Sequence, residues 1–385
     1  MQKMTTALET PLREQLDRLA AFEPGDAPVL SLYLNMRTDN TGRANYESFL
    51  RKTFADRSRA LTGSARKSFD RSVERITAYL GEDVRRTTNG LAVFASTTAK
   101  GDFFEAVQLD VPLDEHWLFI GSVPHLFPLA RLNDQYPRYA ALLVDTNSAR
   151  LFVFGLGSKE AQEQVTNEKT RRNTMGGWSQ ARYQRRIENV HLHHMKEVVT
   201  VLDRVVRDEH INHIVIACDD VARPTLLEQL PQHLVEKIVD TVSLDIRTPE
   251  HQVLAQTLDA LRAKDAETDV EHVEALLDGY RSGGLGVVGP EDTLQALTMG
   301  QVEELLITAT PDALRRVRKM PADSAPGSVE VDTSASAAGV DAQRIKLADE
   351  LVTKAQQTSA RIRFIEDAAL LDKFGGVGAL LRFRI

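Results

Sequence analysis

The sequence predicts an α/β fold divided among several domains. The chain has 385 residues, which is too long for a single hydrophobic core of ordinary size. Short apolar runs with strand character alternate with longer segments of helical periodicity, an order typical of mixed or parallel sheets with helices packed on them. Hydrophobic residues make up 42% and charged residues 26% of the chain, as in soluble globular proteins.

The composition excludes several function classes. The single cysteine, Cys218, rules out an intramolecular disulfide framework and a cysteine-rich zinc site. No apolar run is long enough to cross a bilayer and the amino terminus lacks a signal-peptide pattern, so we expect a cytoplasmic protein without membrane contact. The net charge of −8 argues against a protein that coats nucleic acid generally, so any RNA or DNA contact should be local.

The first predicted domain, residues 1–137, is a small α/β unit. A helix over residues 1–23 carries leucines at helical spacing and ends at the turn residues that follow. The remaining predicted elements are a strand at Val29–Leu34, a charged helical region over 44–80, and strands at Gly90–Ser96 and Phe103–Leu109.

The second predicted domain, residues 138–265, opens with a buried-type strand over Tyr139–Asp145 and its hairpin partner at Ala149–Phe154. A long helix over Ala181–Asp208, a strand at His213–Cys218 and a helix from about Arg223 follow. The apolar side of the long helix holds Ile187, Val190, His194, Val198, Val201 and Val205. Its polar side holds Arg182, Arg185, Arg186, Asn189, His193 and Lys196.

The third predicted domain comprises residues 266–385, and its first residues lie within a helix predicted at about 249–283. Its segment 321–340 is rich in Ser, Ala, Gly and Asp and is predicted to be a flexible loop. The other predicted elements are strands at Leu285–Val288, Glu304–Thr308, Arg361–Ile365 and Ala379–Ile385, and helices at Pro290–Met299 and Asp341–Thr358.

A basic segment over Lys169–Arg186 is the most informative part of the chain. It contains six cationic side chains and no acidic one, although the whole protein is acidic. A positive segment on an acidic protein favours a polyanionic partner such as RNA. The pair Gly176-Gly177 permits backbone conformations that other residues avoid, and Trp178 and Tyr183 provide aromatic faces for nucleotide stacking. A solvated charged loop is the alternative interpretation.

Two further patterns have structural explanations that we favour. The segment Gly284–Gly289 has the glycine spacing of a dinucleotide-binding fingerprint, but a helix precedes it and the strand lies inside it, so we expect a close turn instead. Three histidines, His191, His193 and His194, lie on different faces of the long helix, unlike a metal-binding pair. We expect His194 to be half-buried and hydrogen-bonded, and His193 to belong to the polar side.

Acidic residues follow two of the predicted strands. Asp145 ends one strand, and Asp219 and Asp220 end another, where carboxylates can bind Mg²⁺ for nucleic-acid hydrolysis. The alternative is that Asp219 or Asp220 caps the next helix and that Asp145 begins a turn.

Three stretches together resemble the class-1 peptide release factors of eukaryotes and archaea and their relatives, Pelota and the bacterial release-factor-like proteins. Residues 176–186 are similar to that family's Gly-Gly-Gln loop and the helix after it, with Gln180 as the counterpart of the glutamine. Residues 285–307 are similar to the family's third domain, and residues 374–384 to the closing turn and strand of that domain.

The resemblance implies a ribonuclease H-like middle domain and a carboxyl-terminal α/β/α domain of ribosomal-protein type. It implies a catalytic loop with Gly176, Gly177 and Gln180, no cofactor and no metal. It implies large-subunit RNA and peptidyl-tRNA as partners, with a translational GTPase as a further one, and a monomeric state. The residues implied to bind RNA are Lys169, Arg171, Arg172, Trp178, Ser179, Arg182, Tyr183, Arg185 and Arg186.

Two departures from the family pattern shape the functional hypotheses. Trp178 stands directly after the glycines, two places before Gln180, and the codon-reading sequence Asn-Ile-Lys-Ser is absent from the first domain. We therefore expect hydrolysis of the peptidyl-tRNA ester in stalled ribosomes or large subunits, in the manner of the quality-control peptidyl-tRNA hydrolases, without stop-codon decoding. A non-catalytic binder of the ribosomal A site, acting in Pelota-like rescue or in hibernation, is the alternative. A metal-dependent nuclease is the second alternative.

Overall fold

The structure is a computed structural model of the chain. It describes residues 12–23, 25, 27–37, 46–98, 101–156, 158–166, 179–314, 317–319, 329–331 and 337–384. These residues form two compact units, one within residues 136–268 and the other within residues 1–135 together with 269–385. The predicted α/β class is confirmed. The three-domain division at 137/138 and 265/266 stays a prediction.

The amino-terminal part of the first unit contains a four-stranded antiparallel sheet in the order β3-β2-β1-β4. The strands are β1 (Val29–Asn35), β2 (Gly90–Thr98), β3 (Gly101–Leu109) and β4 (Trp117–Gly121). The helices are α1 (Leu12–Ala20), α2 (Tyr46–Ala60), α3 (Gly63–Glu82) and α4 (Phe127–Gln135). The sequence prediction missed β4 and α4, which are only five and nine residues long.

The region predicted to be helical over 44–80 consists of two helices, α2 and α3, in the residues that the structure describes. Thr62 is extended and Gly63 has a φ of +62°, so the backbone turns between α2 and α3. Both helices pack on one face of the sheet through buried residues such as Leu50 and Phe69. Their opposite sides face solvent.

The second unit is built on a five-stranded mixed sheet in the order β7-β6-β5-β8-β9. The strands are β5 (Tyr139–Val144), β6 (Ser148–Gly155), β7 (Ser158–Thr166), β8 (His213–Cys218) and β9 (Ile238–Val242). The helices are α5 (Ser179–Asp208), α6 (Ala222–Gln229), α7 (Gln232–Val235) and the first part of α8 (Glu250–Arg281), whose residues from Asp269 onward belong to the first unit. The predicted hairpin of β5 and β6 is confirmed, and β8 pairs with β5 in parallel.

Hydrophobic residues cover both faces of this second sheet. On one face, α5 contributes Met195, Val198 and Leu202, all buried against β5 and β8. On the other face, Val253 and Leu261 of α8 pack against aromatic residues of β5 and β6. A sheet covered on both faces explains why β5 and β8 read as uninterrupted apolar runs.

The carboxyl-terminal part of the first unit contains a second four-stranded sheet in the order β10-β15-β11-β14. Its strands are β10 (Gly286–Val288), β11 (Val302–Thr308), β14 (Arg361–Ile365) and β15 (Val377–Leu381), and a separate hairpin consists of β12 (Val317–Lys319) and β13 (Val329–Val331). The helices are α9 (Pro290–Thr298) and α10 (Ala337–Gln357). The predicted flexible loop over 321–340 lies mostly outside the described residues, but β13 and the start of α10 fall within it.

An ionic cluster connects α8 with β11 and β14. The guanidinium of Arg363 lies 3.2 Å from Asp269 Oδ1 and 3.4 Å from Glu304 Oε1. His272 Nδ1 lies 2.7 Å from Glu304 Oε2. The side chains of Asp269 and Glu304 are each only 8% exposed, so these carboxylates depend on their partners for compensation.

Asp349 of α10 joins the two parts of the first unit. One of its carboxylate oxygens accepts hydrogen bonds from the backbone N–H groups of Leu126, at 3.0 Å, and Phe127, at 3.2 Å, at the start of α4. The other oxygen contacts Nδ1 of buried His125. The hydroxyl of Tyr33 in β1 donates to the carbonyl of the same histidine, so the chain connects β1, α4 and α10 through one polar cluster.

Candidate functional site

The predicted catalytic loop lies largely outside the described residues. Of the predicted site residues, those outside them are Lys169, Arg171, Arg172, Gly176, Gly177 and Trp178. The backbone becomes described at Ser179, where α5 begins, and Gln180 is the second residue of that helix. Arg182, Tyr183, Arg185 and Arg186 follow in its first two turns. The segment that resembles the Gly-Gly-Gln loop therefore continues directly into α5.

The second half of α5 attaches the helix to the sheet. Its described side chains become buried from His194 onward, whereas residues 189–193 are exposed or only partly buried. About 21 Å of helix separates Gln180 from His194 at a rise of 1.5 Å per residue. The predicted apolar side is confirmed at Val198 and Val205, and the predicted polar side at His193 and Lys196. The side chains at the loop end of the helix remain a prediction.

Arg138 supports the far end of α5. Its guanidinium bonds Glu160 of β7 at 2.5 Å, the Glu209 carboxylate at 2.7 Å and the Glu209 carbonyl at 2.7 Å. Arg204 of α5 makes a further ion pair with Glu163 of β7. These ion pairs join the edge strand β7 to the end of α5, and they attach the helix to the sheet.

His194 differs from its predicted state. We expected a half-buried, hydrogen-bonded residue, but the side chain is fully buried, and no hydrogen bond of normal geometry reaches either ring nitrogen within the residues that the structure describes. Burial lowers the pKa of its imidazole, and the backbone of Ser148 and the carboxylate of Asp145 offset this only in part. The neutral ring is thus favoured, and His194 acts as part of the core that fixes α5.

The acidic residues at the strand ends have structural roles. Asp145 Oδ1 accepts backbone N–H bonds from Asn147 and Ser148, both at 2.7 Å, which confirms the predicted turn. Asp219 Oδ1 accepts from the N–H of Ala222 at 2.6 Å, which confirms the predicted cap of α6. Among the described residues, no group of three or more His, Cys, Asp or Glu side chains is arranged to bind one metal ion.

The glycine-rich segment 284–289 serves packing. A Cβ added at Gly286 would lie 2.5 Å from the carbonyl oxygen of Leu276 and 2.5 Å from the backbone nitrogen of Tyr280, so β10 touches α8 backbone to backbone. Gly289 adopts a φ of +88° where α9 begins. The close turn expected from the sequence is confirmed, and the order of helix, strand and helix differs from that of a dinucleotide site.

Two family models match adjacent parts of the chain. The model for "Bacterial archaeo-eukaryotic release factor family 10" matches residues 124–262, which include the basic segment and α5. The model for "eRF1 domain 3" matches residues 266–385. The chain is a release-factor-like protein.

Individual relatives of this release-factor-like protein are distant in sequence. The eukaryotic peptide chain release factor subunit 1 of Stylonychia mytilus is 24% identical over 330 residues, covering 77% of this chain and 74% of its own. The peptide chain release factor subunit 1 of Pyrococcus abyssi is 20% identical over 407 residues, covering 97% and 98%.

Solved structures give weak overall superpositions. An archaeal translation termination factor has 17% identity and a TM-score of 0.27, with 97% of both chains covered. A ribosome-bound archaeal Pelota, in a structure that also contains ABCE1, has 14% identity and a TM-score of 0.40, covering 97% of this chain and 94% of its own. The affiliation of the release-factor-like protein rests on the sequence matches.

No helix within the described residues is both long and apolar enough to cross a membrane.

Proposed function

We propose that this release-factor-like protein binds the ribosome and hydrolyses the peptidyl-tRNA ester in stalled ribosomes or large subunits. One observation carries the proposal: the Gly-Gly-x-x-Gln segment leads without interruption into α5, whose second half is fixed in the core of the second unit. A long helix that is anchored at one end can hold a loop at its other end at a fixed distance from the core. The match of residues 124–262 to a bacterial release-factor family supports this assignment.

The proposed chemistry needs little from the protein. The ester of peptidyl-tRNA is already activated, so catalysis requires one water held in line with the carbonyl carbon while others are excluded. Gln180 would orient that water and stabilise the developing oxyanion through its backbone N–H and its side-chain amide. Gly176 and Gly177 would give the backbone the freedom to enter a narrow space, and no protein base is needed if a hydroxyl of the tRNA takes part.

Cationic residues of the same segment would hold RNA. Guanidinium groups bind phosphate oxygens in a bidentate manner, and this contact positions the loop without reading sequence. We assign such phosphate contacts to Arg171, Arg172, Arg182, Arg185 and Arg186 and a simple charge contact to Lys169, with Trp178, Ser179 and Tyr183 contacting nucleotides beside them. A translational GTPase that delivers the protein, action as a monomer and a cytoplasmic location belong to the same proposal.

Peptide release from ribosomes tests the proposal. Purified ribosomes carrying labelled peptidyl-tRNA are incubated with the protein, with Gln180→Ala, and with Gln184→Ala as a control of the same residue type one turn further along α5. Loss of one group that stabilises an oxyanion lowers rates by about 100-fold or more, so Gln180→Ala should nearly abolish release while Gln184→Ala retains it.

A specific feature favours the second candidate, a non-catalytic A-site binder. Trp178 occupies the position directly after the glycines, where a glutamine would otherwise stand. Ribosome co-sedimentation without peptide release by the unmutated protein would establish that candidate and reject the esterase. Release that is unaffected by Gln180→Ala and accompanied by cleavage of the RNA would reject both and favour the metal-dependent nuclease.

A further inference from the structure

The strand β4 forms a free edge of the amino-terminal sheet. It pairs with β1 over five residues and stands at the end of the strand order, so no other described strand pairs with it. Its sequence, Trp-Leu-Phe-Ile-Gly, contains no charged residue and no proline. Natural proteins usually protect such an edge with charges, proline or a covering segment, because the backbone groups along it can pair with a further strand. The composition of β4 therefore favours pairing.

Other edge strands of the fold are protected by charge. Each of β3, β7, β9 and β14 contains at least one acidic or basic residue. Several of these residues form ion pairs, as Arg361 of β14 does with Glu303 at 2.8 Å. The edge strand β10 has no charged residue, but it is only three residues long. Among the longer edge strands that the structure describes, β4 alone lacks a charged side chain.

The side chains of β4 provide apolar surface on both faces of the sheet. Trp117 is 44% exposed and stacks on Phe119, with the ring centroids 5.5 Å apart. Phe119 packs in turn on buried His125, with the ring centroids 3.7 Å apart. On the opposite face, Leu118 and Ile120 are partly buried against the core beneath α2 and α3. A strand added beside β4 would therefore cover aromatic surface on one face and aliphatic surface on the other, and such cross-strand contacts stabilise sheets.

The sequence of β4 is complementary to a second copy of itself. An antiparallel pair centred on Phe119 places the Phe119 residues of the two copies opposite each other, and Leu118 opposite Ile120 of the second copy. Trp117 then lies opposite Gly121 of the second copy, where no side chain obstructs the indole and the ring can cover the glycine. Trp117 and Gly121 are the two exposed residues of the strand, so this pairing covers both of them.

The charges beside β4 are compatible with this pairing. Asp114 and Glu115 precede the strand, and an antiparallel pair places them towards Val123 and Pro124 of the second copy, which are uncharged. A parallel pair would instead bring the acidic residues of the two copies side by side, and like charges directly opposite each other destabilise paired strands. The antiparallel arrangement has a two-fold axis, which is the commonest symmetry of protein assemblies.

We infer that β4 joins two copies of the free protein edge to edge, in an antiparallel two-fold dimer with one continuous sheet across both copies. The contact of two five-residue strands is at the small end of specific interfaces, so the dimer should dissociate in the micromolar range. Action on the ribosome as a monomer, which belongs to the proposed function, requires the two copies to separate. The inference therefore concerns the protein away from the ribosome and does not depend on the proposed reaction.

Sedimentation equilibrium over the micromolar range of protein concentration tests the association. The full chain is compared with Trp117→Lys and with Val235→Lys, which introduces the same charge at a residue of α7 that is 40% exposed. The dissociation constant of the dimer should rise at least tenfold in Trp117→Lys, because a charge then lies on the edge and the aromatic contact is lost, and should stay unchanged in Val235→Lys. Circular dichroism melts check folding. If Trp117→Lys fails to fold, Trp117→Thr replaces it, since threonine retains strand propensity.

Cysteine cross-linking tests the register of the two strands. In the double variant Trp117→Cys with Gly121→Cys, the new thiols of the two copies lie opposite each other, within the Cα separation of about 7 Å that a disulfide allows. In the single variant Trp117→Cys, the two thiols are four residues apart along the strands, about 13 Å, and cannot be bridged. Mild oxidation should yield a covalent dimer of the double variant only. The natural Cys218 is buried and common to both variants.

Three outcomes would overturn the inference. The first is a monomer at every concentration; slow hydrogen exchange over 117–121 would then indicate that a further segment of the same chain covers the edge, and fast exchange that the edge is left for another protein. The second is a dimer whose dissociation constant is unchanged by Trp117→Lys. The third is no more covalent dimer in the double cysteine variant than in the single one. Peptide release is measured in none of these experiments, so the dimer and the proposed esterase can fail separately.

Discussion

Replacement of Asp349 by Ala should detach α4 from α10 in the first unit. The carboxylate is the only acceptor recorded among the described residues for the N–H groups of Leu126 and Phe127, and it contacts buried His125. Its side chain is 13% exposed and that of the histidine 5%, so solvent can replace these bonds only in part. Glu350, an exposed neighbour on the same helix, provides the matched control as Glu350→Ala.

The magnitude follows from the bonds that are lost. Removal of a helix-capping acceptor costs about 0.5 to 2 kcal/mol, and each buried bond to a charged group contributes about 1.5 to 3 kcal/mol. Because these effects overlap, we expect Asp349→Ala to destabilise the contact by about 3 kcal/mol. Asp349→Asn keeps one acceptor oxygen, so its effect should be about half as large. At 1.4 kcal/mol per factor of ten, 3 kcal/mol corresponds to an increase in local opening of about 100-fold.

Amide hydrogen exchange measures this opening locally, which matters because a chain of two units need not unfold in one step. The peptide that covers residues 126–135 should exchange about 100-fold faster in Asp349→Ala, while peptides of the second unit are unaffected. Unchanged exchange in α4, or equal acceleration in Glu350→Ala, would refute the view that this carboxylate holds the two parts together.

Three further results are expected. Burial lowers the pKa of His194 from its ordinary value of 6.5. The contribution of its neutral imidazole to the free energy of unfolding is therefore fully present above pH 6.5 and is lost as the pH falls below it. Thermal melts at about pH 7.5 and about pH 5.5 should accordingly differ less in His194→Leu than in the unmutated protein. Gly286→Ala should lower the melting temperature strongly, since its Cβ meets backbone atoms at 2.5 Å, whereas Gly81→Ala, with open space around the Cβ, should leave it unchanged or raise it. Arg363→Gln should destabilise the first unit by about 3 to 5 kcal/mol in urea titrations, because the buried carboxylates of Asp269 and Glu304 lose the guanidinium that they share; a loss below about 1 kcal/mol would contradict this role.

The sequence predicted elements well where burial dominates their composition. The bounds of His213–Cys218 and Arg361–Ile365 are confirmed, because each strand is a compact run of β-branched or aromatic residues between turn signals. The polar edge strand β7 was missed, since its ladder with β6 and its ion pairs stabilise it, and its composition gives no apolar pattern. Tertiary pairing of this kind leaves little trace in the local sequence.

The site was predicted in part for a similar reason. The position of α5 and the side it buries follow from a helical repeat that reads directly from the sequence. The full burial of His194 does not follow from this repeat, because the exposure of that side chain depends on how closely the turn at Asp145 approaches α5.

The chain order of the first unit has a consequence for synthesis on the ribosome. His125 and Asp349 are separated by 224 positions, and the entire second unit is translated between them. The second unit can therefore complete its core while the amino-terminal sheet still lacks its carboxyl-terminal partner, since domains generally fold as units during translation. A nascent chain that stops before α10 would leave His125 and the N–H groups of Leu126 and Phe127 without the Asp349 carboxylate that bonds them. Premature termination of this message should thus yield a product that chaperones retain and proteases remove, even though its middle portion is folded.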